Sequence, residues 1–175
     1  MPRCKICKDK FEPKYFLQKT CFEPSCILEY KNKVKAKEWK QEKKVLKEKL
    51  KTYSDHVKEL QVIVNKYVRL RDKDKGCISC GTLLTGKYDA GHYYSCGSYP
   101  ELRFNEDNIH GQCVHCNQWK HGNLIEYTKR LPLRIGEVKF HSLEVKAHIQ
   151  QKYSIPELIE MKVIYKDKIK KLLKN

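Results

Sequence analysis

Apolar residues recur at helical spacing in two well-marked stretches. Val57, Leu60, Val64, Tyr67 and Val68 form the first stripe, with Ile63 beside it. Thr52-Tyr53-Ser54-Asp55 precedes it in the form of a capping box. The pattern predicts a helix that opens there and ends near residues 71–76, where Gly76 can break it. The second stripe is Leu158, Ile164, Tyr165, Ile169 and Leu172, behind the capping signal Ser154-Ile155-Pro156-Glu157. Ahead of it, Pro132 and Gly136 are expected to break the chain, and a helix is expected from Glu137 to about Gln151. Residues 29–51 differ in kind. They hold ten lysines against four glutamates, no Gly or Pro, and only sparse apolar positions: Val34, Trp39, Val45, Leu46 and Leu50. That composition predicts a solvated helix rather than a core element. Two uses of it stand side by side, an arm along DNA phosphates and a spacer.

Charge sharpens this picture. The chain of 175 residues carries a formal net charge of +16, which points to a polyanionic partner, nucleic acid before an anionic membrane surface. No stretch is long and apolar enough to span a bilayer, and Met1–Phe11 lacks the apolar core of a secretory signal. A cytoplasmic location is expected. With an apolar fraction of 40%, the chain can fold, but its small modules call for staples.

The nine cysteines supply candidates, as two quartets and one remainder. Cys4, Cys7, Cys21 and Cys26 form the first, Cys77, Cys80, Cys113 and Cys116 the second. In a reducing compartment they are read as thiolates for tetrahedral Zn²⁺, not as disulfides. The second quartet is the stronger signal, because both of its halves are CxxC knuckles. The spacer between those halves is longer than in simple zinc ribbons, and Cys96 is read as a free thiol within it.

That insertion carries residues a closed Cys₄ site does not need. Asp89 and His92 come first, then Asn108; Asn117, Lys120 and Asn123 follow the second knuckle. Four of the seven histidines fall between His92 and His121. Phosphodiester hydrolysis needs a base for water and a cation on the phosphate. A neutral imidazole, with a reference pKa of about 6.5, supplies the first. Carboxylate and amide oxygens suit a hard cation such as Mg²⁺. A helix after the knuckle could hold Asn117 on its first turn, facing His92. On a strand, Asp89 and His92 face opposite sides, so Asp89 reaches the same ion only if a bulge at Ala90-Gly91 re-aims it. Asp89 is otherwise a turn cap. Arg103 either clamps phosphate or pairs with Glu106 or Asp107, and Lys120 contacts phosphate. His110, His115 and His121 are read as surface or phosphate-contacting residues. Tyr93, Tyr94 and Tyr99 either pack the loop or stack on unpaired bases.

The order CxxC, Asp/His, Asn, CxxC-Asn, then Lys and Gly-Asn resembles the HNH, or ββα-metal, endonucleases. Within them, "CISCGT", "DAGHY", "LRFNEDNIHGQCVHCNQWKHGN" and the N-terminal cysteines before a lysine-rich stretch resemble the NinG (Rap) recombination proteins of lambdoid phages. The resemblance implies an α+β fold: a zinc-braced, treble-clef-like ββα-metal module flanked by basic helices. It implies a knuckle over 1–28, a basic connector over 29–53, a nuclease module over 54–127 and basic helices over 128–175. It implies two structural Zn²⁺ ions and one catalytic Mg²⁺ or Mn²⁺. It implies an endonuclease acting on branched double-stranded DNA (Holliday junctions, D-loops) in the bacterial host cytoplasm, with a homodimer on the junction. His92 would be the general base, Asn117 a cation ligand, joined by Asp89 if the chain bends, and Asn108 would orient His92. Arg103, Lys120, Lys40, Lys43 and Lys44 would contact DNA. The rival expectations are an HNH nickase or nonspecific DNase, and a non-catalytic zinc protein that binds DNA.

Overall fold

A computed structural model describes residues 1–149 and 152–174. It is a mixed α+β structure of two compact units, residues 1–51 and 52–175. In the first unit, Arg3 and Lys10 form an isolated antiparallel bridge that folds Cys4 and Cys7 into a knuckle. Helix α1 (Pro24–Lys49) starts with proline in its first turn, where the missing N–H costs no bond. Cys26, in that same turn, is its only buried residue. With 26 residues the helix is about 39 Å long and otherwise solvated. It begins ahead of the lysine-rich stretch because the cysteine cluster anchors its first turn.

The second unit opens with α2 (Tyr53–Arg71). Its capping box is formed: the Asp55 N–H donates to Thr52 Oγ1 at 3.3 Å, and the Thr52 N–H donates to Asp55 Oδ2 at 3.0 Å. Strands β1 (Tyr88–His92) and β2 (Ile109–Cys113) pair antiparallel, from Tyr88 against Cys113 to His92 against Ile109. A π-helical turn (His115–Trp119), α3 (Leu124–Ile135), α4 (Glu137–Lys146) and α5 (Ile155–Leu172) follow. One core joins Leu60, Val64 and Val68 of α2 to Leu158, Tyr165 and Ile169 of α5, with Ile109 from the sheet. A second joins Ile78 and Leu102 to Tyr127 and Leu131 of α3 and Leu143 of α4.

Three local expectations are corrected. Pro132 does not break the chain; it lies inside α3, which ends only at Gly136 (φ 86°). Proline removes one backbone donor there, while the buried Tyr127 and Leu131 hold the helix against the core. Helix α4 ends at Lys146, short of its expected limit, and Gln151 lies outside the described residues. On α5, Ile164 is exposed, and the inward position is Lys162. The α5 stripe is 158, 162, 165 and 169, and the Lys162 ammonium lies 2.6 Å from Glu59 and 3.1 Å from His56 Nδ1. A long lysine stem covers apolar surface while its charge finds a carboxylate.

The end of α2 is tied to β2 by a buried ion pair. Asp72, fully buried, accepts from Arg71 at 2.8 Å and from the Gly111 N–H at 2.9 Å. Arg71 in turn donates to the Ile109 carbonyl at 2.7 Å. The outer edge of β2 is thereby covered: Asp72 takes the Gly111 N–H, and the Ile78 N–H takes the Gly111 carbonyl at 3.1 Å. Burial pushes the Asp72 carboxyl up, but the Arg71 guanidinium and the Gly111 N–H outweigh it and hold the pKa at about 2. A depressed carboxyl pKa contributes stability above its ordinary value, 3.8, which is lost as pH falls through about 2. Asp72→Ala strands Arg71 and an amide, so urea unfolding is expected to show a loss of about 3 to 5 kcal/mol at pH 7. The gap to wild type should shrink between pH 4 and pH 2.

Candidate functional site

The cysteines converge as the spacing predicts. The sulfurs of Cys4, Cys7, Cys21 and Cys26 lie within 4.8 Å of one another, and so do those of Cys77, Cys80, Cys113 and Cys116. Cys80 and Cys113 are 3.8 Å apart, and Cys7 and Cys21 are 3.9 Å apart. Disulfide sulfurs lie at about 2 Å. Four thiolates around one Zn²⁺ with bonds of about 2.3 Å sit about 3.8 Å apart. Backbone N–H groups point at the sulfurs, as from Cys113 to Cys77 Sγ and from Cys116 to Cys113 Sγ, both at 3.4 Å. Each tetrad can hold a metal ion such as zinc. Cys96 belongs to neither and carries a free thiol, raised in pKa by burial.

The second tetrad stands where the hairpin meets the helical region. Cys113 ends β2, and Cys116 is the second residue of the π-helical turn. That turn carries Asn117 and Gln118 to Asp89 on β1. Asp89 Oδ2 accepts from Asn117 Nδ2 at 2.9 Å and from Gln118 Nε2 at 2.8 Å. The β1–β2 register advances one residue at a time through Ala90 and Gly91, so the bulge that would re-aim Asp89 is absent. Asp89 keeps its strand face and Asn117 comes to it, rather than facing His92. The chain also excludes a ligand at position 91. A Cβ on Gly91 would fall 2.0 Å from Gln112 Oε1, and the Gln112 amide is held by Ser79 and Gly122.

His92 is the last residue of β1, on the opposite face from Asp89. Its Nε2 lies 3.1 Å from the Arg103 carbonyl. A carbonyl only accepts, so Nε2 carries the proton and Nδ1 keeps the lone pair. Burial lowers the pKa of this imidazole below 6.5 and outweighs the Arg103 carbonyl, which raises it. The ring is therefore neutral at pH 7.

Asn108 does not orient His92 through its ring. Fully buried, it accepts from the Tyr94 N–H at 2.7 Å and donates to the carbonyls of Tyr94 and Leu102 at 3.1 and 3.0 Å. Its backbone carbonyl accepts from the Tyr93 N–H at 2.9 Å. It pins the residues that follow His92. Arg103 does not pair with Glu106 or Asp107. It donates to the Cys96 carbonyl at 3.0 Å, while Lys168 and Lys139 take those carboxylates. His110 is not a surface residue. It is buried between Arg71 and the Asp107 carbonyl, and its pKa is pushed down to about 4 by burial and then by Arg71. His115, His121 and Lys120 are exposed, as are Lys40, Lys43 and Lys44 on α1. Tyr93, Tyr94 and Tyr99 pack ring on ring at 4.9 and 4.7 Å, the loop-packing arrangement.

Sequence reasoning missed Gln118, although its place beside Asn117 was a usable signal. It also missed Asp72, which lies in a charged run that reads as a solvated helix end.

A family model described as "Bacteriophage Lambda NinG protein" matches residues 1–175. The chain belongs to the NinG family. Protein ninG of Escherichia phage lambda is 40% identical over 190 residues, covering 97% of this chain and 92% of the relative. Protein ninG of Escherichia phage 933W is 38% identical over 187 residues, with the same coverage. Protein ninG of Salmonella phage P22 is 38% identical over 190 residues, covering 97% and 93%. No solved structure matches. No helix among the described residues of this NinG-family chain is long and apolar enough to cross a membrane.

Metal analysis of the purified chain is expected to find two zinc ions. Cys77→Ser should lower the count to one and abolish the cooperative melting of residues 52–175. Cys4→Ser should lose the other ion and leave that transition in place. Retention of both ions in either variant would contradict the assignment.

Proposed function

We propose that this chain is an HNH (ββα-metal) endodeoxyribonuclease that cuts branched recombination intermediates, such as Holliday junctions and D-loops, in the host cytoplasm. The observation that carries the reading is the meeting of Asp89 and Asn117. A strand carboxylate and an amide from the turn after a metal knuckle come within 2.9 Å. Asp89 and Asn117 would hold a hard divalent cation, Mg²⁺ or Mn²⁺. Such an ion, when bound, stabilises charge on the phosphate and the leaving 3′ oxygen. The hairpin, the helical turn behind it and the adjoining cysteine tetrad support the ββα-metal assignment.

His92 supplies the other half of the chemistry. Nδ1 takes a proton from water while the Arg103 carbonyl holds Nε2–H, which fixes the tautomer and the ring plane. Asn108 acts as a positioning residue through the backbone of Tyr93 and Tyr94. The scissile phosphodiester lies across the open end of β1, between the two faces that carry His92 and Asp89. The net charge of +16 and the lysines of α1, with Lys40 and Lys44 four residues apart on one face, support a DNA partner. Lys120 and Arg103 add phosphate contacts beside the site. Two chains act together on a four-way junction, because symmetric cutting needs two sites.

The test is cleavage of a labelled four-way junction against a linear duplex of the same sequence, with Mg²⁺ or Mn²⁺. Faster cutting of the junction is expected. His92→Ala should lower the rate by about 10²- to 10⁴-fold. The neutral base is the active form, so the rate should fall as pH drops through a midpoint below the ordinary histidine value of 6.5. Equal rates on both substrates would leave a nonspecific HNH nuclease. No cutting by wild type would leave a zinc protein that only binds DNA.

A further inference from the structure

A groove of about 560 Å³ runs along α2 and ends at Asp89. One wall is Lys66 and Arg69, three residues apart on α2, with Lys73 from the turn just past its end. The other wall is the chain entering β1, with Lys87, Tyr88 and Asp89. The Tyr88 hydroxyl donates to the Arg69 carbonyl and ties the walls together. Among the described residues, no ion pair engages Lys66, Arg69 or Lys87, and Lys73 meets only the exposed Asp74, at 3.9 Å.

Four cations and one carboxylate thus line a shared cleft. Cations at a helix C-terminus complement its dipole, which accounts for Arg69 and Lys73 alone. It does not account for Lys87, which comes from another segment and meets them across the groove. Like charges so placed repel, and a polyanion relieves that repulsion while releasing counterions. The lone carboxylate is the one Asn117 and Gln118 hold.

We infer that this groove seats the phosphate backbone of the DNA strand that enters the Asp89–Asn117 site. The inference rests on the nuclease reading for what happens at the end of the groove, but not for what binds along it. Lys66, Lys73 and Lys87 contact successive phosphates, and Arg69, half-buried, fixes the strand between them.

Binding of a labelled four-way junction with no added Mg²⁺ or Mn²⁺ and no chelator, so that the cysteine-held zinc is kept and no cutting occurs, tests the inference. The slope of log affinity against log salt is measured for wild type and for Lys66→Gln/Lys73→Gln/Lys87→Gln. Loss of three phosphate contacts should make the slope shallower by about 2 to 3 and weaken binding roughly tenfold or more near physiological salt. Lys166→Gln/Lys170→Gln/Lys174→Gln, on α5 and just past its end, removes the same charge elsewhere and should change the slope by less than about 1. A groove variant that behaves like wild type or like the α5 variant would overturn the inference. Lys87→Gln alone should shift the slope by about 0.9, and serves if the triple variant melts early. The same titration with an RNA duplex is run beside it, and a groove variant that loses RNA-duplex binding but keeps DNA binding would overturn the assignment to DNA. Groove-dependent DNA binding without Mg²⁺-dependent cutting would overturn the nuclease reading and leave the groove standing.

Discussion

The second cysteine tetrad is the constraint on which the rest of residues 52–175 depends. It draws together thiols 33 residues apart in sequence, Cys80 and Cys113, at 3.8 Å. Four cysteine sulfurs within 4.8 Å of one another can hold one cation, and the donor set suits zinc. Closing that distance fixes the end of β2 and the start of the π-helical turn at one point. Asn117 and Gln118 stand directly after Cys116, so their reach to Asp89 follows from the tetrad's geometry. A tetrahedral ion held there by four cysteines has no open position, so its part would be structural.

The buried Arg71–Asp72 pair does for the opposite side of the hairpin what the tetrad does at its end. It closes the exposed edge of β2 and sets α2 against the sheet. One core then packs on the sheet through Ile109 and Ala90, and the other gathers α3 and α4 beside the loop after β1. One result is a groove along α2 that leads to Asp89. The other is a half-buried imidazole at the strand's end, kept neutral by its surroundings. A charged framework, a weakly basic nitrogen and a carboxylate–amide pair are thus carried by one small module, the last two on opposite faces of β1.

Much of this was legible in the sequence where the signal is local. The capping boxes at Thr52 and Ser154 and the α2 stripe are short-range patterns, and both are formed. The two cysteine quartets were legible because metal ligands demand a fixed spacing. What could not be read depends on partners far along the chain. Pro132 sits inside α3 because Tyr127 and Leu131 are held by a core that the local sequence does not describe. Lys162 faces inward because Glu59 and His56, about a hundred residues earlier, wait for it. Asn108 clamps backbone rather than the imidazole because the loop after His92 folds back over it. Asp89 needed no bulge, since the π-helical turn brings Asn117 to its own face.

The central claim is that the Asp89–Asn117 pair holds a hard cation and each cysteine tetrad a structural zinc. Anomalous diffraction from crystals grown with Mn²⁺, collected at the zinc and manganese edges, tests it most directly. The account predicts zinc peaks within both cysteine tetrads and a manganese peak between Asp89 and Asn117. Manganese absent from that pair, or bound only at sites away from it, would contradict the account.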